Sequence, residues 1–251
     1  RSQSFQQIRI VPRYNKLIVE VVYNVTVSAT KADNTRIIGI DIGVDNLVAV
    51  ANNCGLPAFV INGKPAKAIN QFYNKKRAYF QGVLQQANSK YSSKRLFRLS
   101  EKRYSKIADY MHKASRRIIN FCLFNDINTI VVGQNKFWKQ DSHLGRKTNQ
   151  NFVQMPFAQL IQMIRYKAKD LGIATVLTEE GYTSGTSFID GELPIKENYN
   201  KSRRKYRGMF FSNVGLKINA DLNGAYQIIR KVFPIKWDRG CALHPSVVNL
   251  D

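Results

Sequence analysis

Short apolar stretches rich in β-branched residues open the chain and predict strands. Residues 8–11 and 17–27 flank a polar turn and are typical of a β-hairpin, which we interpret as the last hairpin of a β-rich domain. Three more apolar stretches follow with few residues between them, at 36–42, 47–52 and 57–62. Because connections this short cannot contain a crossover, we expect these three strands to form an antiparallel meander.

A helical repeat replaces the strand pattern in the middle of the chain and predicts two long helices, at about 65–89 and 93–125. The second helix has an apolar stripe on one face, formed by Ile107, Met111, Ala114, Ile118 and Phe121. Its other face is strongly basic, which predicts contacts with nucleic-acid phosphates and leaves a solvated surface as the alternative. We expect these contacts from Lys102, Arg103, Lys106, Lys113 and Arg116.

The second half of the chain alternates between strands and helices. Residues 129–133 and 173–178 predict a fourth and a fifth strand. A helix at about 156–171 lies between them, and a final helix covers about 220–232. The remaining stretches are interpreted as a polar loop (134–151), an irregular insert (183–217) and a poorly ordered tail (235–251).

This order of elements is that of an RNase H-like α/β fold, a five-stranded mixed sheet with strand order 3-2-1-4-5 and helices on both faces. In such sheets, sites form at the carboxyl ends of the central strands. The predicted units are the end of the β-rich domain (1–30), the core with its long basic helices (36–182), the basic insert (183–217), the final helix (218–234) and the tail (235–251).

Charge narrows the class of partner. The 251 residues include 39 Lys and Arg against 17 Asp and Glu, a formal net charge of +22. This excess predicts a nucleic-acid partner, and the sequence has no apolar run long enough to span a membrane. Three widely separated cysteines imply no disulfide framework and suit a reducing compartment. Because the chain starts at Arg1 and enters a strand pattern almost at once, we interpret it as the C-terminal portion of a longer protein.

Two aspartates occupy defined positions in this frame. Asp41 ends the buried first strand of the core, and Asp221 opens the final helix. Carboxylates brought together from opposite ends of a domain can hold divalent ions that act on a phosphodiester, and oxygen ligands suit Mg²⁺. The alternatives are a buried hydrogen bond for Asp41 and a helix cap for Asp221. Asn219 and Asn223 flank Asp221 and could orient it, although Asn219 could equally cap the helix.

The fourth strand has no acid at its end, which is Gly133. The fifth strand offers Glu179 and Glu180 just beyond its last residue. Because side chains alternate along a strand, only one of the two can join the site. We favour Glu180 as the third ligand, with two solvated acids as the alternative.

Six motifs together resemble the C-terminal part of TnpB/OrfB proteins encoded by bacterial insertion sequences, which are relatives of type V CRISPR effectors and Fanzor proteins. They are GIDIGVDN (39–46), HKASR (112–116), VGQNKFWKQ (132–140), NQNFVQMPF (149–157), EGYTS (180–184) and NADLNG (219–224). The resemblance covers roughly residues 36–232. Each motif alone is weak, but their combination and order are specific.

The resemblance implies a RuvC-like nuclease domain that cuts target DNA under the direction of a guide RNA, in the bacterial cytoplasm and associated with the nucleoid. It implies two Mg²⁺ ions held by Asp41 and Asp221, and a wedge domain that contains the first hairpin. Some members carry the middle acid on the fifth strand, which matches Glu180.

The chain departs from many relatives in its insert. Ser187, Asp190, Phe211 and Val214 stand where those relatives have four zinc-binding cysteines, so we expect no zinc. The insert is basic instead. We predict phosphate contacts from Arg203, Arg204 and Arg207, and from Lys136 and Lys139 of the polar loop, with a solvated basic loop as the alternative.

Three other functions compete with a nuclease. A nuclease-inactive RNA-guided DNA-binding protein would explain the missing acid at Gly133. A structural RNA-binding protein of ribosomal type would explain the charge but not the placed carboxylates. An actin-like ATPase shares an Asp-x-Gly strand end but needs a second Gly-rich phosphate loop, which the sequence lacks.

Overall fold

The computed structural model describes residues 3–13, 16–26, 29–30, 35–88, 91–134, 146–206, 208–238 and 240–250. Its strands are β1 (Gln3–Arg13), β2 (Lys16–Val25), β3 (Ile37–Ile42), β4 (Asn46–Asn52), β5 (Phe59–Asn62), β6 (Thr129–Gly133), β7 (Ala174–Thr178), β8 (Met209–Phe211), β9 (Lys217–Asn219) and β10 (Ser246–Val248). Its helices are α1 (Lys64–Asn88), α2 (Lys94–Phe124), α3 (Arg146–Val153), α4 (Phe157–Lys169) and α5 (Ala220–Val232).

A six-stranded mixed sheet forms the centre of the fold, in the order β10-β5-β4-β3-β6-β7. The meander β3-β4-β5 is antiparallel, whereas β6 and β7 run parallel to β3. These five strands have the predicted order. The prediction of five strands was wrong in number, because β10 adds a sixth strand, parallel to β5.

Helices cover both faces of this sheet. Helices α1, α2 and α4 pack on one face, against a core that includes Ile38 and Ile40 of β3. Helix α5 packs on the other face with Ile37. Alternation along β3 therefore turns Asp41 toward α5. Gly39, on the same face, lets α5 approach the sheet, since a Cβ there would overlap the Ala225 carbonyl oxygen and the Ile229 side chain.

The predicted hairpin at the start of the chain is present as β1 and β2, which pair in a separate antiparallel sheet. Its exposed apolar side chains include Phe5, Ile8, Ile10, Leu17 and Val19, which the pairing register places on one face of the hairpin.

Two expectations for irregular regions were wrong. The segment 235–251, expected to be poorly ordered, contributes β10, and Trp237 and Leu243 pack against the core beside α5. Its apolar residues follow no regular period, so the pattern gave no signal. The supposed polar loop at 134–151 contains most of α3, whose polar composition hides its helical character. Within the described ranges, no helix is long and apolar enough to cross a membrane.

Candidate active site

Asp41 lies near the carboxyl end of β3, on the face covered by α5. Burial raises its pKa well above the ordinary value for an aspartate. Repulsion from the carboxylates of Glu180 and Asp221 raises the pKa further, whereas the guanidinium of Arg204 and the Ile42 N–H group lower it. Asp41 is thus close enough to Glu180 and to Asp221 to be repelled by each of them, although the three acids come from separate parts of the chain.

A glycine of α5 provides the space that the Asp41 carboxylate occupies. A Cβ atom on Gly224 would lie 2.7 Å from Oδ2 of Asp41. This is far inside van der Waals contact, so any side chain at this position would displace the carboxylate.

A second glycine does the same for Glu180. Gly133 ends β6 opposite Thr178, the last residue of β7. A Cβ on Gly133 would lie 2.5 Å from Oε1 and 2.6 Å from Cγ of Glu180. The Glu180 side chain therefore lies over the end of the neighbouring strand, in the space that a fourth-strand acid would need. The absence of an acid at Gly133 has a steric reason.

The two consecutive glutamates have different surroundings. Glu179 is exposed, with a carboxylate oxygen 3.7 Å from where a Cβ of Gly181 would lie, whereas Glu180 is half-buried. It is Glu180 that interacts electrostatically with Asp41. Of the two glutamates, Glu180 is therefore the one whose charge acts on Asp41.

Asp221 lies in the first turn of α5 and is held from two sides. Asn46 donates a 2.7 Å hydrogen bond from Nδ2 to Oδ2 of Asp221. The Arg204 guanidinium lies 3.8 Å from the other oxygen, Oδ1. Sequence reasoning missed Asn46, although it ends the GIDIGVDN motif only five residues after Asp41.

The side chains of the two asparagines beside Asp221 form hydrogen bonds that stabilise the fold. The Asn219 side chain caps α5 by accepting hydrogen bonds from the N–H groups of Asp221 and Leu222, each at 3.1 Å. Asn223 is fully buried; it donates to the Thr186 carbonyl oxygen at 2.8 Å and accepts from the Phe188 N–H group at 3.0 Å. Asn223 thereby fastens the insert to α5 rather than contacting Asp221.

A cleft of about 900 Å³ opens beside Asp221. Asn46 and Arg204 line it, together with Lys64 and Lys67 at the start of α1. The Lys67 ammonium forms a 2.7 Å ion pair with Asp45, which holds this part of the wall in place. A basic cleft leading to acids suits a polyanionic substrate whose backbone must approach carboxylates.

Hard oxygen donors such as these three carboxylates suit Mg²⁺, and their mutual repulsion would be relieved by a bound cation. In the described part of the chain, however, no three His, Cys, Asp or Glu side chains are close enough to form a metal-binding group. Arg204 supplies positive charge beside Asp221 instead.

The four positions compared above with zinc-binding cysteines offer neither a thiolate nor an imidazole. The Ser187 hydroxyl accepts from the Asp190 N–H group at 3.2 Å, and the Asp190 carboxylate accepts from the Asn213 N–H group at 2.7 Å. Val214 is exposed, and Phe211 lies in β8.

Glu192 lies at the centre of this part of the insert. Its Oε2 accepts from the Ser187 N–H group at 2.8 Å and from Arg203 Nη1 at 2.6 Å. Both members of the Arg203–Glu192 ion pair are largely buried. Hydrogen bonds and an ion pair therefore connect the segments around Ser187, Arg203 and Asn213.

The predicted phosphate-binding residues fall into three groups, apart from Arg204, which lies beside Asp221. Lys102, Lys106, Lys113 and Arg116 are exposed on α2. Arg103 turns inward, donating from Nε to Oδ1 of Asn70 at 2.7 Å and from Nη2 to the Gln154 carbonyl oxygen at 3.2 Å, and Arg203 is paired with Glu192. Lys136, Lys139 and Arg207 lie outside the described residues.

Comparisons with known proteins bear on the family and on the fold of this chain. The family model OrfB_IS605, a probable transposase, matches residues 20–139. The model of the Cas12f1-like TNB domain matches residues 157–228. Each match covers less than half of the chain, and together they confirm the predicted resemblance to TnpB/OrfB proteins. No curated protein matches it.

Two solved structures share the fold. One is Cas12f1 in a complex with sgRNA and target DNA, 21% identical, covering 86% of this chain and 54% of the other, with a TM-score of 0.58. The second is a CRISPR-Cas12f ternary complex, 19% identical, covering 92% and 45%, with a TM-score of 0.64. This chain thus spans about half the length of these chains.

Proposed function

We propose that this chain is the RuvC-like, RNase H-type nuclease portion of a transposon-associated protein that cuts DNA under the guidance of an RNA. Asp41, Glu180 and Asp221 would hold two Mg²⁺ ions. The observation that carries the proposal is the placement of Glu180: its side chain fills the space left by Gly133 and lies within electrostatic reach of Asp41. The TnpB-like family matches and the basic cleft support guide RNA and target DNA as partners.

When bound, the metal ions would supply an activated water and stabilise the leaving 3′ oxygen. The chain's own residues prepare the site for this chemistry. Burial beneath α5 restricts the Asp41 carboxylate, and Asn46 fixes the orientation of Asp221. Arg204 lines the cleft beside Asp221, where it can contact a substrate phosphate once a metal ion neutralises the carboxylates.

A second candidate is a nuclease-inactive RNA-guided DNA-binding protein. It is favoured by one observation, that the described residues contain no ready three-ligand metal group. The same basic surfaces would then serve binding alone, and Arg204 would be a permanent partner of Asp221.

Guided cleavage distinguishes the two. The full product of the gene would be co-expressed with its own RNA and incubated with target duplex and Mg²⁺, as wild type, Glu180→Ala and Glu179→Ala. We expect wild type and Glu179→Ala to cut and Glu180→Ala to bind target without cutting. Target binding by wild type with no cleavage under any of these conditions would favour the inactive protein. Mn²⁺ binding by this chain, followed by electron paramagnetic resonance, should also weaken in Glu180→Ala.

A further inference from the structure

A second basic concavity lies between α2 and α4. This groove has a volume of about 610 Å³ and is lined by His112, Lys113, Arg116, Arg117, Tyr166 and Lys167, among others. Two helices contribute its cations, so the charges converge on a shared space. An ordinary solvated helix face would instead spread them along one element.

The groove is remote from the carboxylates in two respects. Helices α2 and α4 pack on the face of the sheet opposite α5. The groove also includes the end of α4, just before β7 begins at Ala174, whereas Gly133 and Glu180 lie at the carboxyl ends of β6 and β7. A stretch of backbone lying in this groove is therefore separate from the stretch at the carboxylates.

Lys167 makes the groove a built site. This lysine is only 6% exposed, and its ammonium group donates to the Ser115 hydroxyl at 2.6 Å and to the His112 carbonyl oxygen at 3.1 Å. These bonds fix a positive charge at the base of the groove. Burial of this kind is costly unless the charge has favourable interactions.

The cations of the groove also repel one another. Burial lowers the pKa of Lys167, and the nearby Arg116 guanidinium lowers it further. Among the described residues that line the groove, Asp170 is the acidic one. Lys113 also forms a 3.2 Å ion pair with the exposed Asp109. A bound anion would relieve the repulsion between Arg116 and Lys167.

We propose that this groove binds the phosphodiester backbone of a nucleic acid, at a second site separate from the cleavage site. Arg116 and Lys113 supply exposed cations at the rim, and Lys167 supplies a buried one at the base. Contacts of this type fix position without reading sequence. The site goes beyond the proposed nuclease activity, and it rests on that function only for whether the strand is guide RNA or target DNA.

Binding measurements on this chain test the proposal without requiring cleavage. Labelled RNA and DNA hairpins of equal length and sequence would be titrated by fluorescence anisotropy between about 50 and 200 mM salt. The test variant is Lys113→Ala/Arg116→Ala. The matched control, Lys94→Ala/Arg98→Ala, removes the same charge from exposed positions of α2 that do not line the groove.

The salt slope is the slope of log affinity against log salt concentration. We expect its magnitude to fall by about 2 in the groove variant, since each phosphate contact contributes about 0.9. Affinity at low salt should fall at least about 10-fold, and the control variant should change both quantities much less. A loss confined to the RNA hairpin identifies guide RNA as the ligand, and a loss confined to DNA identifies the target strand. Equal losses in groove and control variants, or no loss in either, would overturn the proposal. Thermal melting of both variants checks that they fold.

Glu180→Ala separates this site from the nuclease. If that variant loses cleavage but keeps hairpin binding and its salt slope, the two sites are independent. If wild type never cuts, the groove variant still gives an answer, because its assay measures binding alone.

Discussion

Replacing Gly133 by alanine tests whether the space at the end of β6 is what admits Glu180. The new Cβ would lie 2.5 Å from Oε1 and 2.6 Å from Cγ of Glu180, and 2.6 Å from Cδ1 of Ile228. Non-bonded carbon contacts are favourable at about 3.5–4.0 Å, so the glutamate must retreat by roughly 1 Å. A displacement of this size costs about 100-fold in rate at a site that depends on positioning. Crowding should also cost about 1–3 kcal/mol of stability.

The assay is single-turnover guided cleavage with Mg²⁺, accompanied by thermal melting. Gly82→Ala is the control, because a Cβ at this α1 position meets nothing within 4 Å, and alanine should stabilise the helix by up to about 1 kcal/mol. The double variant Gly133→Ala/Glu180→Ala should melt above Gly133→Ala, since it removes the crowded side chain. Cleavage by Gly133→Ala at the wild-type rate would refute the steric argument.

Three further predictions concern charge. The pKa of Asp41 is higher in the folded state than in the unfolded state. The metal-free chain should therefore lose stability as pH rises above about 4 toward that raised value. Urea unfolding should show a weaker dependence on pH for Asp41→Asn. Arg204→Ala should slow guided cleavage by about 10–100-fold without weakening Mn²⁺ binding, and weaker Mn²⁺ binding would show that Arg204 supports the carboxylates instead. Glu192→Ala should lower the free energy of unfolding by about 2–3 kcal/mol, because Arg203 and the buried Ser187 N–H group lose their acceptor. A chelator that destabilised wild type comparably would instead point to a metal in the insert.

The strands and long helices could be predicted from the sequence because local periodicity determines them. The boundaries of β6 agree with the prediction, and α5 agrees at both ends. Asp41 and Asp221 could be singled out as candidates because each lies at the end of such an element. Alternation of side chains indicated that only one of Glu179 and Glu180 could join the site, but it did not indicate which one.

The remaining features depend on contacts between distant segments. The significance of Gly133 comes from Glu180, which lies 47 residues later and reaches over it from the next strand. The capping role of Asn219 was one of two open readings. The role of Asn223 depends on the insert, whose path has no periodicity. Arg103 reads as part of a basic face, yet its bonds to Asn70 and Gln154 draw it inward.

The pairing of β10 with β5 has a consequence for how the chain folds during synthesis. Phe59 of β5 pairs with Ser246, 187 residues later. At about 5–20 residues per second, ribosomal synthesis of that interval takes roughly 10–40 s. Throughout this time β5 presents an open edge, which can pair with other chains. Slow translation or a stall after β5 should therefore favour aggregation, and the yield of folded protein should depend on how quickly β10 is made.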